Sequence, residues 1–466
     1  MVVLMVRAKT FALLLEPEGV GLLSQVTSIE GLIASFATIG IGYGITNLIA
    51  KGPKVGEVAN YAWIVVRTGQ WIAIAIAIPV FGFLLVFSRN ISEITIGSRE
   101  FGILFVIIAI AMPIKFNAAV FNSGLQGLQQ ITSLAWVRSL AAVLGFLCIL
   151  PLTYYMGLLG AVIGIGLWPV FTLLLGRFHF RKSTTDSKKI SWKEGYRLDL
   201  IEPIVRFGFA NLLVVLLTSV TVLIVRTQLI RMLGLSSNGY YQVVWAMSSQ
   251  FLILVQLSLW SYAYPRLTQL IPKKEQFIKE LEGVLRLGLL ILGPMIYMIV
   301  IFREFVVKIL YSSSFSPSIS LIPIQIWGDL LRFIIWWIEL PLFARGKLKE
   351  IVLIEVVWNL TFLTLSLLLL GKVGIEGLSI SYTIAGVVTL LFSVLKFKQI
   401  EDYRGIKQQR KLLIQVGILI LTAVLVNITM RDRLVFTIVV VPLWGLWVLT
   451  HEERHRLMSF IPEIRK

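Results

Sequence analysis

Residues 324–345 read IQIWGDLLRFIIWWIELPLFAR. The run is long enough and apolar enough to cross a bilayer, since about 20 apolar residues in a helix span the hydrocarbon core. It nevertheless carries Asp329, Arg332 and Glu339. A charge near the bilayer centre costs at least about 2.5–3.5 kcal/mol on insertion scales. Spacings of three, four and three put Asp329, Arg332, Trp336 and Glu339 on one helical face. That face must meet a protein interior or a wet cavity. Asp329 and Arg332 are expected to pair along the helix, with Glu355 on the following helix as a further partner.

Working outward, the same apolar pattern fills the chain. Of 466 residues 57% are apolar and only 15% charged, with a mean hydropathy of +0.86. These values exclude an ordinary soluble domain and fit an all-α, multi-pass membrane protein. Apolar runs broken by short polar turns recur from 20–50 to 433–450, and a shorter run precedes them at 1–15. The expectation is about fourteen transmembrane helices with both termini on one side.

Charge fixes the orientation expected. Counted over alternate breaks, one side holds 27 Lys and Arg and the other 8. Basic loops stay cytoplasmic, so both termini are assigned to the cytoplasm. The formal balance of +18 then reflects loop charge at a membrane, and no nucleic-acid partner is expected. Cys148 is the only cysteine, which excludes an internal disulfide and a cysteine-based metal site. His451-Glu452-Glu453-Arg454-His455 has the form of a zinc-binding HExxH. It lies in a charged tail that offers only Glu463 as a later carboxylate. No metal, no cofactor and no enzymatic activity are therefore expected.

The sequence also repeats. Gly19-Val-Gly21 is echoed by Gly239-Tyr-Tyr241; Ile131, Val137 and Leu140 by Ile351, Val357 and Leu360; Gly157-Leu-Leu-Gly160 by Gly374-Ile-Glu-Gly377. The near-constant offset implies two parallel six-helix repeats. They are placed at 1–180 (an N-lobe) and 204–396 (a C-lobe), joined by a basic linker at 181–203. Residues 397–466 would add two helices and a tail.

Eight basic residues fall within the apolar runs: Arg7, Lys9, Arg67, Lys115, Arg138, Arg226, Arg286 and Arg332. Four clear acids accompany them: Glu30, Asp329, Glu339 and Glu355. Some of these are open to a structural reading, as snorkelling groups or buried pairs. Pairing cannot neutralise the whole surplus of cations, and a positively charged cavity suits an anionic substrate.

Several segments together resemble the Wzx-type lipid-linked oligosaccharide flippases, including the O-antigen and enterobacterial-common-antigen translocases. These belong to the multidrug/oligosaccharidyl-lipid/polysaccharide exporter superfamily. The segments are Glu16-Pro17-Glu18-Gly19-Val20-Gly21, the helix end Gly44–Ala50, Gly239-Tyr-Tyr-Gln242, Tyr264-Pro265-Arg266-Leu267, Phe315-Ser-Pro317, Gly328-Asp329 with Arg332, and Ala344-Arg345. The sequence departs from the family at Asn47, where a basic residue is common, and at Ser249, where a carboxylate is.

The resemblance implies two six-helix lobes plus two helices in a bacterial inner membrane, and alternating access. It implies a polyprenyl-diphosphate-linked oligosaccharide as substrate, moved to the outer leaflet for polysaccharide biosynthesis. Lys9, Arg226 and Arg332 match its basic positions. With Lys115 they are the candidate diphosphate-binding residues. Asp329, Glu339 and Glu355 are candidates for ion coupling or charge pairing. Tyr240, Tyr241 and Trp245 are candidates for sugar contacts, an interfacial aromatic belt being the other reading. Membrane lipid and a polysaccharide polymerase are the partners implied. The alternative is a multidrug/cation antiporter of the same superfamily, whose cavity should carry surplus acid rather than surplus base.

Overall fold

The computed structural model describes residues 2–53, 58–184, 196–397, 409–426 and 430–450. The middle of the basic linker (185–195) and the histidine motif at 451–455 lie outside the described residues. Within them the chain is helical, without a strand. In chain order the helices are α1 (Val2–Leu14), α2 (Glu16–Ser35), α3 (Gly42–Lys51), α4 (Val58–Ile96), α5 (Gly102–Gly127), α6 (Ile131–Ser183) and α7 (Ile201–Leu270). They continue as α8 (Lys274–Ile301), α9 (Arg303–Leu310), α10 (Ile322–Ala344), α11 (Leu348–Val373), α12 (Glu376–Phe397), α13 (Arg410–Leu425) and α14 (Met430–Val448). A π-helical turn, Phe36–Ile41, joins α2 to α3.

This is a multi-pass membrane protein. Among the described residues eight helices are long and apolar enough to cross a membrane, or nine if the bent pair Ser313–Ile319 and Ile322–Ala344 is one span. The fourteen crossings expected are therefore not matched one for one, and two helices explain part of the gap. At 53 residues, α6 would run about 80 Å if straight, against a hydrocarbon core of about 30 Å. It is broken at Gly157, whose φ of 56° is a left-handed conformation that glycine adopts without penalty. Beyond the break the chain doubles back: Gly160 lies against the Leu152 carbonyl, Gly164 against Ile149 and Gly145 against Trp168. The 70 residues of α7 break likewise at Gly234, φ 85°. Each of these helices is a hairpin of two arms.

The apolar surface confirms the solvent. In the most hydropathic window of α4 only 28% is buried within the protein, and Val86 (71% exposed) and Ile78 (67%) face outward. A helix apolar on all sides belongs in lipid.

The chain divides into two compact units. The first comprises Met1–Val243, Ile309–Phe315 and Asn359–Gly377; the second Val244–Lys308, Ser316–Trp358 and Leu378–Lys466. In the first, α5 packs between α4 and α6. Trp63, Phe121 and Phe180 meet edge-on, and the Trp63 indole N–H donates to Thr184 Oγ1 at 2.8 Å. Small residues let the backbones approach, the usual means of helix association where lipid removes the hydrophobic drive. An added Cβ at Gly21 would sit 2.0 Å from the Leu235 carbonyl oxygen, and one at Gly239 would sit 2.0 Å from that of Pro17. Asn238 locks this crossing, donating to Gly21 O at 2.7 Å and to Ser24 Oγ at 3.0 Å.

In the second unit α8 is the hub, packed against α10 and α13. The Trp337 indole donates to Leu281 O at 2.7 Å, and Gly288 leaves room for the Phe333 ring. The charged stretch of α10 thus enters a packed interior.

Candidate functional site

Helix α10 begins at Ile322, two residues before the quoted run, and the preceding Ser313–Ile319 forms a 3₁₀ segment bent by 57° from it. Its charged face is inward, as the spacing required: Asp329 is fully buried, Glu339 nearly so, and the Arg332 side chain is 22% exposed. The expected pairing along the helix does not form. Arg332 instead reaches across to α11, and its Nη2 donates to both Glu355 oxygens, at 2.6 and 2.9 Å. Its guanidinium also lies 4.7 Å from the centre of the Trp358 ring. The long guanidinium reaches the neighbouring helix, where packing brings both Glu355 oxygens to one of its nitrogens in a charge-assisted contact.

Asp329 is satisfied by hydroxyls. It accepts from Ser248 at 2.8 Å and from Tyr382 at 3.1 Å, and among the described residues no cation reaches it. Trp245 packs edge-on against Tyr382, 6.0 Å between ring centres, so this sugar-contact candidate lies beside the Asp329 network. One turn before Asp329, Gln325 is buried with neither amide atom hydrogen-bonded. Glu339 is buried near Arg332 and Glu355, and its Oε1 has no hydrogen-bond partner.

The other candidates lie in the first unit. Lys115, midway along α5, pairs with Glu30 at 2.6 Å. Arg7 sits 5.0 Å from the Trp168 ring centre and interacts electrostatically with the same Glu30. Lys9 donates to the Tyr311 carbonyl. Tyr240 meets Phe315 edge-on and Tyr241 is 1% exposed.

Arg226 is the unusual group. It is 2% exposed on the first arm of α7, and its Nη2 donates to Gln242 Oε1 on the second arm at 2.5 Å. Its Nε and Nη1 have no hydrogen-bond partner, and among the described residues no carboxylate pairs with it. The neighbouring Thr227 accepts from Gln25 at 2.9 Å.

The structure therefore gathers Lys9, Lys115 and Arg226 in one unit, and Arg332 with the three acids in the other. It shows Lys115 and Arg332 as ion pairs, and Arg226 as a buried cation held only by a neutral amide. Sequence reading missed Gln242, Ser248, Gln325 and Tyr382. Uncharged polar residues within apolar runs are too common to stand out. The hairpin symmetry about Gly234 was the one signal that could have matched Gln242 to Arg226.

The sequence matches the family described as "Polysaccharide biosynthesis protein" over residues 3–271, and the chain belongs to that family. No curated protein matches it significantly. Among solved structures it is similar to an inward-facing multidrug resistance MATE family transporter of the MOP superfamily, at 14% identity, covering 85% of this chain and 94% of that one, TM-score 0.73. It is also similar to the lipid II flippase MurJ in an inward closed conformation, at 15% identity, covering 96% and 95%, TM-score 0.65. A eukaryotic MATE transporter is a third, at 16% identity, 89% and 94%, TM-score 0.60. At such identities the likeness shows a common fold.

Proposed function

We propose that the chain is a flippase carrying polyprenyl-diphosphate-linked oligosaccharide from the cytoplasmic to the outer leaflet, for cell-surface polysaccharide biosynthesis. The observation that carries this reading is Arg226, a buried guanidinium with two unpartnered nitrogens. An uncompensated buried charge is costly, and charge-assisted hydrogen bonds to a phosphate would offset the loss of water. Membership of a polysaccharide biosynthesis family and a fold shared with a lipid II flippase support the substrate class. In this reading the lobes at 1–180 and 204–396 alternate access, Lys9, Lys115 and Arg332 assist Arg226, and both termini are cytoplasmic in an inner membrane. A polysaccharide polymerase would take the product.

The test is flipping of a fluorescent polyprenyl-diphosphate sugar in proteoliposomes. Wild type should move it. Arg226→Gln should abolish transport while reaching the membrane in normal amount, and Arg226→Lys should retain a fraction. Normal flipping by Arg226→Gln would overturn the reading.

One observation favours a drug or cation antiporter instead: Asp329 is a buried carboxyl without a cation among the described residues. That carrier should export a cationic dye, lose export on Asp329→Asn, and leave the lipid substrate unmoved.

A further inference from the structure

Where α7 ends and α8 begins, the two helices run antiparallel and leave a groove of about 580 Å³ between them. The groove changes character along its length. Toward its outer end it is lined by Arg266, Lys279 and Glu280; deeper in it is lined by Leu259, Val284 and Leu287. Leu259 and Arg266 are seven residues apart on one helix, about 10 Å. That is the drop from the charged edge of a bilayer into its acyl region.

The polar end is organised. Arg266 Nε pairs with Glu280 at 2.7 Å, and the Tyr262 hydroxyl bonds the same carboxylate. Glu280 is the only carboxylate among the lining residues and is occupied by Arg266. Lys279 beside it is exposed and in no ion pair among the described residues. The trough is open over Gly283, where an added Cβ would meet nothing within 4 Å. Glycine inside a helix costs about 1 kcal/mol relative to alanine, and this one has no neighbour to accommodate.

We infer that this groove binds one anionic phospholipid, its phosphate between Lys279 and Arg266 and an acyl chain over Gly283 against Leu259 and Leu287. The charge fits an anionic headgroup, the apolar floor fits a chain, and Leu287 (47% exposed) and Tyr262 (51% exposed) open it sideways to lipid. The inference needs only that α7 and α8 cross a bilayer, and is independent of what the protein transports.

The test counts lipid bound to the full-length protein by native mass spectrometry. Detergent micelles are titrated with dioleoyl phosphatidylglycerol, dioleoyl phosphatidylcholine, inorganic phosphate or a polyprenyl diphosphate. Wild type should hold a single phosphatidylglycerol that excess phosphatidylcholine does not displace. Lys279→Gln should weaken it about fivefold, the usual contribution of one basic residue at a charged membrane surface. Gly283→Leu should remove it by filling the trough, and Gly283→Ala should keep it. Neither Gly283 variant should melt earlier than wild type in lipid-free detergent. The assignment is overturned if Gly283→Leu and Lys279→Gln bind like wild type, or if phosphatidylcholine binds equally. It is also overturned if inorganic phosphate binds as tightly as the lipid, or if the polyprenyl diphosphate takes the groove in preference.

Discussion

Arg332 and Glu355 show what a buried ion pair does in a membrane interior. Removing one partner of such a pair typically costs about 3–5 kcal/mol, because the survivor is left as an unpaired buried charge. Glu355→Leu should therefore lower the melting temperature in detergent sharply, while Arg332→Met with Glu355→Leu should recover most of it. If Arg332 handles substrate, the double variant folds but does not flip, and a stable, active double variant would assign the pair to architecture alone. On the short helix α9, outside the spans, Glu304 accepts from Arg433 at 3.0 Å, and this bond holds its carboxyl below the ordinary value. A depressed acid stabilises the fold above its unfolded pKa and loses that contribution as pH falls through the lowered value. Glu304→Gln should thus destabilise at pH 7, by at most about 1 kcal/mol for a carboxyl 45% exposed, and match wild type in acid; equal melting at both pH values would contradict the link. The sequence showed that Asp329, Arg332 and Glu339 face inward together. Helical spacing does not say which neighbouring helix supplies a partner, and the choice of Glu355 over Asp329 was settled by packing.

Glycines shape the elements. Gly157 and Gly374 were matched in sequence as parts of a repeat, and both have positive φ, 56° and 76°. Both sit at turns where a positive φ admits little but glycine, which is why glycine stands at these two places in the sequence. The hairpin at Gly234 was harder to read: Ser236, Ser237 and Asn238 look like a loop, yet they continue the helix after a single-residue break. Close crossings make a different demand, for space alone. Gly21→Val should destabilise the protein by about 1–3 kcal/mol, the usual penalty of overpacking, because its Cβ would fall 2.0 Å from a backbone oxygen. Gly82→Ala on α4, with nothing within 4 Å, should be neutral or stabilising by up to about 1 kcal/mol. Thermal unfolding of the two variants side by side checks the contrast, and a neutral Gly21→Val would mean that the crossing yields.

Across the whole molecule, loop charge makes one demand on orientation. In a Cys148→Ala background, Glu100→Cys should react with an impermeant thiol reagent in intact cells, and Lys273→Cys only after lysis. Both positions are exposed in loops, so burial cannot mimic the result; the opposite pattern would invert the protein in its membrane. Fold class was legible from hydropathy because lipid demands helices that satisfy their own backbone. The number of crossings is a separate matter: eight or nine described helices are long and apolar enough to cross, and two of the longest, α6 and α7, are hairpins of two arms each. The crossing at Gly21 and Gly239 has a local two-fold character. Each glycine faces the carbonyl four residues before the other, Leu235 for Gly21 and Pro17 for Gly239. Such reciprocity is the pattern of an isologous contact. A side chain at either glycine would strike a backbone oxygen of the opposite helix, so neither side can yield for the other. The flanking residues are under no such constraint: Val20-Gly21-Leu22 stands against Asn238-Gly239-Tyr240, and the asparagine that fastens the joint is on one side only.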